Sequence, residues 1–199
     1  MVYLYGAGGH GKVVLDILET CGVEVGGFFD EDTTKIVERY STSRFTGGVG
    51  LMDSVFIITI GNNNIRRAIV SKINIGFAKA IHPSSVISKN VVIKQGTVVM
   101  PGTIINTCSQ IGEHCIINSG AIIEHDCVIN NFVHIAPNAT LCGGITIGEG
   151  SLIGAGSVIL PGVQIGKWCV VGAGSVVLKN LPDNTKVAGN PAKAIRQSR

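Results

Sequence analysis

Three groups of residues in this chain have the types and spacing to do chemistry. The stretch "IIEHDCVINNFVHIAP" (residues 122–137) carries Glu124, His125 and Asp126 in a row, with a second histidine, His134, nine residues after the first. A neutral imidazole accepts a proton near pH 7, and an adjacent carboxylate orients it. His125 with Asp126 therefore suits general base catalysis. Histidines also ligate zinc, and His114, His125 and His134 lie within one short span, so a metal site is the competing reading. The third group is the loop "GAGGHG" (residues 6–11), which follows an apolar run and precedes a helical pattern. Glycines at Gly6, Gly8 and Gly11 let a backbone turn cradle a phosphate at a helix N-terminus. Asp30 follows about 20 residues later, where an acidic group meets a ribose or a base.

These residues must be positioned by two kinds of architecture, and the chain divides near residue 80. Residues 1–80 alternate strand and helix patterns. "VYLYG" is a short strand ending in glycine. "KVVLDILETCG" has helical spacing at Val14, Ile17, Leu18 and Cys21, and Gly22 stops it. "EVGGFFD" and "VFIITIG" read as the second and third strands. "NNNIRRAIVSKI" reads as a second helix with Asn62 to Asn64 available as caps. Such alternation predicts a small parallel sheet with crossover helices. Eighty residues hold about half of a full doubly wound fold, so a nucleotide-linked substrate fits better than NAD. Residues 31–54 carry weaker signals.

Residues 81–180 form a repeat. Steps of six from Ile81 to Val177 meet an aliphatic residue every time: Ile81, Ile87, Ile93, Val99 and so on without a break. Two residues earlier the side chain is small at Thr97, Ser109, Cys115, Ala121, Cys127, Ser151 and Cys169. Both positions must point inward, and period-two alternation makes each such stretch a strand. Pro83, Pro101, Pro137 and Pro161 all fall two residues after an inward aliphatic, where a corner tolerates proline. Glycines cluster one residue after it, at Gly112, Gly148, Gly154, Gly166 and Gly172, and bending is expected there. This is a hexapeptide repeat, with three hexads to each turn of a triangular coil. Cys115, Cys127 and Cys169 read as core thiols.

The repeat places the histidines. His125 and Asp126 fall at a corner of the prism. His134 falls beside an inward isoleucine and is expected to project outward from a flat face. A hexad and a half separates the two histidines. That is half a coil, so they lie on opposite sides of one prism. They serve one site only if a neighbouring subunit brings its own copy, and a homotrimer with sites between subunits is the natural closure. Zinc sites at such interfaces, as in γ-class carbonic anhydrases, resemble a close histidine pair plus one about two coils away. The spacings of 11 and 9 here do not fit, so no metal is expected.

Composition narrows the classes. Charged residues make up 15% of the chain and aromatic residues 5%. Charge is well below the usual quarter or so, which implies surface buried between subunits. The net charge of +3 comes without a basic run or interleaved aromatics, so nucleic acid is not expected as a partner. No apolar run is long enough to span a membrane, no signal peptide is visible, and the six cysteines form no CxxC pair. A cytoplasmic protein with reduced thiols is expected.

"YLYGAGGHGKVVLDIL", "FFDED", "ITIGNNNIRR", "IIEHDCVINNFVHIAP" and "VAGNPAKAIR" together resemble the PglD/NeuD-type bacterial sugar acetyltransferases, over nearly the whole chain. The resemblance implies a half-Rossmann-like α/β domain (residues 1–80), a left-handed parallel β-helix that binds acetyl-CoA (81–180), and a C-terminal tail (181–199). It implies His125 as general base, Asp126 as the residue raising its basicity, and His134 as an acetyl-CoA contact. Glutamate is often found in the place of Asp126. Ala155 and Ala173 match the coils along which CoA lies. Gly8, Gly9 and His10 match the loop contacting the substrate's phosphates, Asp30 and Glu31 the contacts on the uracil side, and Gly61 the end of the third strand. His82 and His114 match nothing catalytic. The reaction implied is attack of a sugar 4-amino group on the acetyl-CoA thioester. The sugar would be a UDP-linked 4-amino-4,6-dideoxy sugar. A backbone N–H such as that of Gly143 would stabilise the oxyanion. Sialic acid O-acetylation, a GDP-perosamine-type N-acetylation and a non-enzymatic β-helical scaffold remain alternatives.

Overall fold

The computed structural model describes residues 1–47, 51 and 53–195. Residues 196–199 of the expected tail, with Arg196 of the "VAGNPAKAIR" match, lie outside them, as does part of the 31–54 stretch. The N-terminal domain contains β1 (Val2–Tyr5), α1 (Gly9–Thr20), β2 (Val25–Phe29), β3 (Ile36–Val37), β4 (Tyr40–Ser43), β5 (Val55–Ile58), α2 (Asn63–Val70) and β6 (Gly76–Phe77). The sheet order is β3-β4-β2-β1-β5-β6, parallel except for the β3–β4 hairpin. That hairpin lies in the stretch where the sequence signals are weak. One face of the sheet is aromatic, with Tyr3, Phe29, Phe45 and Phe56 rings 5.5 to 5.9 Å apart, and Ile69, Val70 and Ile73 pack there. The other face meets the apolar stripe of α1 (Val14, Leu15, Ile17, Leu18).

The second domain is a three-faced parallel β-helix of seventeen two-residue strands, from Ala80–Ile81 to Val176–Val177. The first face runs Ala80–Ile81, Val98–Val99, Ile116–Ile117, His134–Ile135, Leu152–Ile153 and Val170–Val171. Lys186–Ala188 extends it. The second face begins at Val86–Ile87 and the third at Val92–Ile93. Each strand pairs with the one three hexads further on, as Ile117 does with Ile135. The inward aliphatics from Val99 to Val177 are buried, and so are the small residues two before them. Buried hydroxyls in those small positions find carbonyls, as Thr97 Oγ1 does with Gly112 O at 2.7 Å. Cys115, Cys127 and Cys169 are core thiols; burial pushes the Cys115 thiol up to about 12.

One expectation about the turns needs correction. Bending does not occur at the glycines one residue after the inward aliphatic. Positive φ occurs two residues later, at every sixth residue from Gly96 to Gly174, including the non-glycines Cys108, His114, Asp126, Phe132, Asn138 and Trp168. Gly112, Gly148, Gly154, Gly166 and Gly172 serve coil stacking instead. A Cβ on Gly112 would lie 2.7 Å from the backbone of Asn130 in the next coil.

The two domains share a core. Ala80, Val98, Met100 and Ile116 on the outside of the first face belong to the same buried cluster as α1, Leu4 and Phe28. Each buried Val, Ile or Met there contributes about 1.5–3 kcal/mol. The N-terminal domain is therefore seated on the first face.

Candidate active site

His125 stands at the corner between the second and third faces, with its side chain 59% exposed. Its Nδ1 lies 2.8 Å from Asp126 Oδ2. Asp126 takes φ 60°, a left-handed conformation that aspartate tolerates better than most residues. Its amide donates to Thr107 O in the coil above. The pairing leaves His125 Nε2 with no protein partner among the described residues, free to accept a proton. Glu124 turns away and accepts from Asn106 Nδ2 at 2.8 Å. Gly143, one coil below, lies against the ring: a Cβ there would sit 2.6 Å from both Cε1 and Nε2. The glycine makes room for the imidazole.

His134 projects outward from the first face beside inward Ile135, as the hexad register predicts, and is half-buried there. Its neighbours Val98 and Ile116 on the first face are apolar, so the N-terminal domain of the same chain covers this face and the histidine with it. Asn118 Nδ2 lies 3.1 Å from His134 Nε2. Asn118 Oδ1 is already taken by the Ser119 amide at 2.8 Å. The Asn118 amide nitrogen therefore faces the ring, Nε2 accepts, and the proton of the neutral ring is on Nδ1. Gly61 lines the same cleft as this ring. Gly61 itself lies beyond the end of β5 at Ile58, in the turn into α2, and not at a strand end. His10, in the first turn of α1, is the next neighbour. Burial pushes His10 down to about 4, and His134 and Arg66 add to the effect. Burial pushes His134 to about 4 as well, with Arg66 adding and Gly61 opposing.

The glycine loop divides by role. A Cβ on Gly6 would lie 2.8 Å from Thr59 O, and one on Gly11 would strike Gly6 O, so these two glycines permit close packing. Gly8 and Gly9 face open space. Helix α1 starts at Gly9 with Gly8 as its N-cap and no side-chain cap, which leaves first-turn N–H groups without a side-chain acceptor. Asp30 is engaged within the protein. Its oxygens accept from the Ala7 amide (2.8 Å), the Asp32 amide (3.0 Å) and Lys35 Nζ (3.1 Å). Burial alone would raise its carboxyl, but these donors hold it below the usual range. Asp30 braces the loop, while exposed Glu31 accepts from Tyr5 Oη at 3.0 Å.

A cleft of about 520 Å³ opens under the N-terminus of α2, lined by Gly61, Asn62, His134, Leu152, Val170 and Lys186 among others. His134, Leu152, Val170 and Lys186 are one column of the first face, in register from coil to coil. Ala155 and Ala173 are exposed at the edge of the same face, one above the other, with the Gly174 amide donating to Ala155 O. His114 is structural: 4% exposed, edge-on to Phe77 at 4.5 Å and stacked on Phe132 at 5.2 Å. His82 bonds Ser84 at the first corner. No three His, Cys, Asp or Glu side chains among the described residues are grouped to hold a metal ion. Sequence reasoning missed Asn118, Arg66 and Lys186. Arg66 reads as an ordinary surface residue of an amphipathic helix, and nothing local marks it as buried.

An exposed His–Asp pair on a hexapeptide β-helix, with a glycine-loop α/β domain seated on another face of the same prism, defines a hexapeptide-repeat acyltransferase. Residues 1–73 match the PglD N-terminal domain, and residues 108–143 and 144–179 match the bacterial transferase hexapeptide (six repeats). UDP-N-acetylbacillosamine N-acetyltransferase of Bacillus subtilis is 38% identical over 110 residues, half of this chain and half of that protein. GDP-perosamine N-acetyltransferase of Escherichia coli is 31% identical over 98% of this chain and 96% of its own length. A variant of perosamine N-acetyltransferase from Caulobacter crescentus, in complex with CoA and GDP-perosamine, superposes with a TM-score of 0.94 at 36% identity, covering 98% of this chain and 97% of that one. The chain belongs to the PglD-type family of bacterial sugar N-acetyltransferases. Among its described residues, no helix is long and apolar enough to cross a membrane.

Proposed function

We propose that this protein transfers the acetyl group of acetyl-CoA to the 4-amino group of a UDP-linked 4-amino-4,6-dideoxy sugar. The observation that carries the reading is the His125–Asp126 pair, whose free Nε2 faces outward above Gly143. The sugar amine attacks the thioester carbonyl and gives a proton to His125 Nε2, while Asp126 holds the Nδ1 proton and stabilises the imidazolium. A backbone N–H such as that of Gly143, beside the ring, would stabilise the oxyanion. The C–S bond breaks, and CoA leaves as the thiol once it takes back a proton. The cofactor would contact His134 and run down the first face over Leu152 and Val170, past Ala155 and Ala173. Lys186 at the foot would meet phosphate. The nucleotide would meet Gly8, Gly9 and His10, with Glu31 towards the base.

The site needs two chains. His125, Gly143, Pro161 and Lys179 descend one corner at steps of three hexads, and His134 to Lys186 descend the first face. Three coils at about 4.8 Å each make both columns roughly 14 Å tall. In a homotrimer the corner of one prism would face the first face of the next, giving a groove with a lysine from each chain at its foot. Outward residues Val86, Ile104, Ile122, Val158 and Val176 make the second face apolar enough to be buried in such an assembly. A GDP-linked sugar is the second reading, favoured by two relatives matched over nearly the full length that act on or bind GDP-perosamine. A panel of UDP- and GDP-linked aminosugars with acetyl-CoA, scored by thiol release, decides between them; no turnover on any aminosugar would defeat both.

A further inference from the structure

Arg66 is a buried cation with an unusual set of partners. It sits in α2 with 1% of its surface exposed. No carboxylate among the described residues pairs with it. Instead each of its five N–H groups has an uncharged acceptor. Nε donates to His114 O (2.8 Å), Nη1 to Ile60 O (2.9 Å) and Gly61 O (3.2 Å), and Nη2 to Asn63 Oδ1 (2.8 Å) and Phe132 O (2.9 Å). His114 and Phe132 are the same corner in successive coils. Asn63 continues the ladder by donating to Gly150 O and Ser151 O in the next coil. Arg67 follows, over Trp168 at 4.4 Å and paired with Glu149. Burying a guanidinium without a counter-charge is costly, and burial lowers Arg66 to about 10. Packing alone does not call for a charge here, since an apolar side chain would fill the junction more cheaply.

What the charge can do is set by its position. Gly61, whose carbonyl takes Arg66 Nη1, lines the same cleft as His134. Phe132, whose carbonyl takes Nη2, is two residues before His134. We propose that Arg66 is a positioning residue for acetyl transfer: through Gly61 and the Phe132 corner it fixes the height and the tautomer of His134 in the cleft. The proposal rests on His134 being an acetyl-CoA contact. The groups facing His134 are Asn118 from its own face, His10 from α1, and Arg66 with the Gly61 backbone from the α2 side. The nearby cation opposes a second charge, so the imidazole stays neutral, with Nε2 towards Asn118 and its proton on Nδ1.

Nitrogen NMR of histidine-labelled protein tests this. In the intact protein, His134 at about pH 6 is expected to be neutral with its proton on Nδ1. Arg66→Lys keeps a cation but has three donors for five acceptors, and Arg66→Gln removes the charge. Both are expected to mix the tautomers and to raise KM for acetyl-CoA about tenfold, the worth of one hydrogen bond. In Arg66→Gln the His134 titration should also move up towards its ordinary range. Folded variants with an unchanged tautomer, titration and KM would overturn the proposal. So would an Nε2–H tautomer in the intact protein, a measurement that needs no variant to fold. Calorimetry of acetyl-CoA with the intact protein separates the two readings. The wrong tautomer with acetyl-CoA bound defeats the Arg66 role alone; the expected tautomer without acetyl-CoA binding defeats the cofactor reading and the role with it.

Discussion

Gly143 lies directly beneath His125, so close that a single added Cβ would come within 2.6 Å of His125 Nε2. The imidazole and the glycine that makes room for it are one full coil apart in the chain. Gly143→Ala should therefore push the imidazole aside without disturbing the core. The expected result is a loss of roughly 100-fold in kcat, the usual effect of an ångström of misplacement, with an unchanged melting curve. An active Gly143→Ala enzyme would show that His125 does not work from this position.

Removing the base itself should cost more. His125→Ala is expected to lower the rate by roughly 10²–10⁴-fold, the share typical of a general base. Folding should be little affected, because the side chain is exposed. Asp126→Asn should cost less, since the ring remains and only its charged partner is lost. Steady-state kinetics with saturating acetyl-CoA distinguishes the two variants.

UDP should bind without acetyl-CoA through the open first turn of α1 at Gly8, Gly9 and His10. Titration calorimetry with UDP, GDP and CMP reads the base preference directly. Tight GDP binding with no UDP binding would transfer the assignment to the GDP-linked sugars.

Acid should destabilise the fold through three histidines. His10, His114 and His134 all have folded-state values of about 4, below the ordinary 6.5, chiefly because burial disfavours the charged ring. Between those two values the unfolded chain binds protons that the folded chain does not. Stability from these groups is therefore fully present above about 6.5, falls as the pH drops to about 4, and levels off below. Unfolding near pH 5 should take up close to three protons, measurable by calorimetry in buffers of different ionisation enthalpy. An uptake near zero would contradict their burial.

Shared sites predict complementation. Inactive His125→Ala chains, reassembled with chains altered at the first face by Leu152→Arg, should regain activity in mixed trimers. Some interfaces would then pair an intact corner with an intact cleft. A fully active monomer in sedimentation would remove the shared site from consideration.

Much of this molecule is legible in local pattern. A strand whose inward residues recur every six positions needs only its own hexad to be recognised, and Cys115, Cys127 and Cys169 read correctly as core for the same reason. The His125–Asp126 pair is legible because the partners are adjacent in the chain. The glycine loop is legible as a loop, yet only the structure separates Gly6 and Gly11, which permit packing, from Gly8 and Gly9, which face open space. The turn position is not legible because glycine does two jobs in this repeat, and residues such as Asp126 and Phe132 take the left-handed corners without being glycine.

The sequence by itself determined the two architectures and the corner that carries the His125–Asp126 pair. Only the tertiary structure decided which of three equivalent faces the N-terminal domain covers. It also decided that His134 lies beneath that domain and that Arg66 is buried against the carbonyls of His114 and Phe132. The physical reason is that the hexad is the same on every face, so periodicity carries no label for any of them. Docking depends on the outward side chains of Val98 and Ile116 meeting the apolar stripe of α1, a match between residues far apart in the chain that no local window contains.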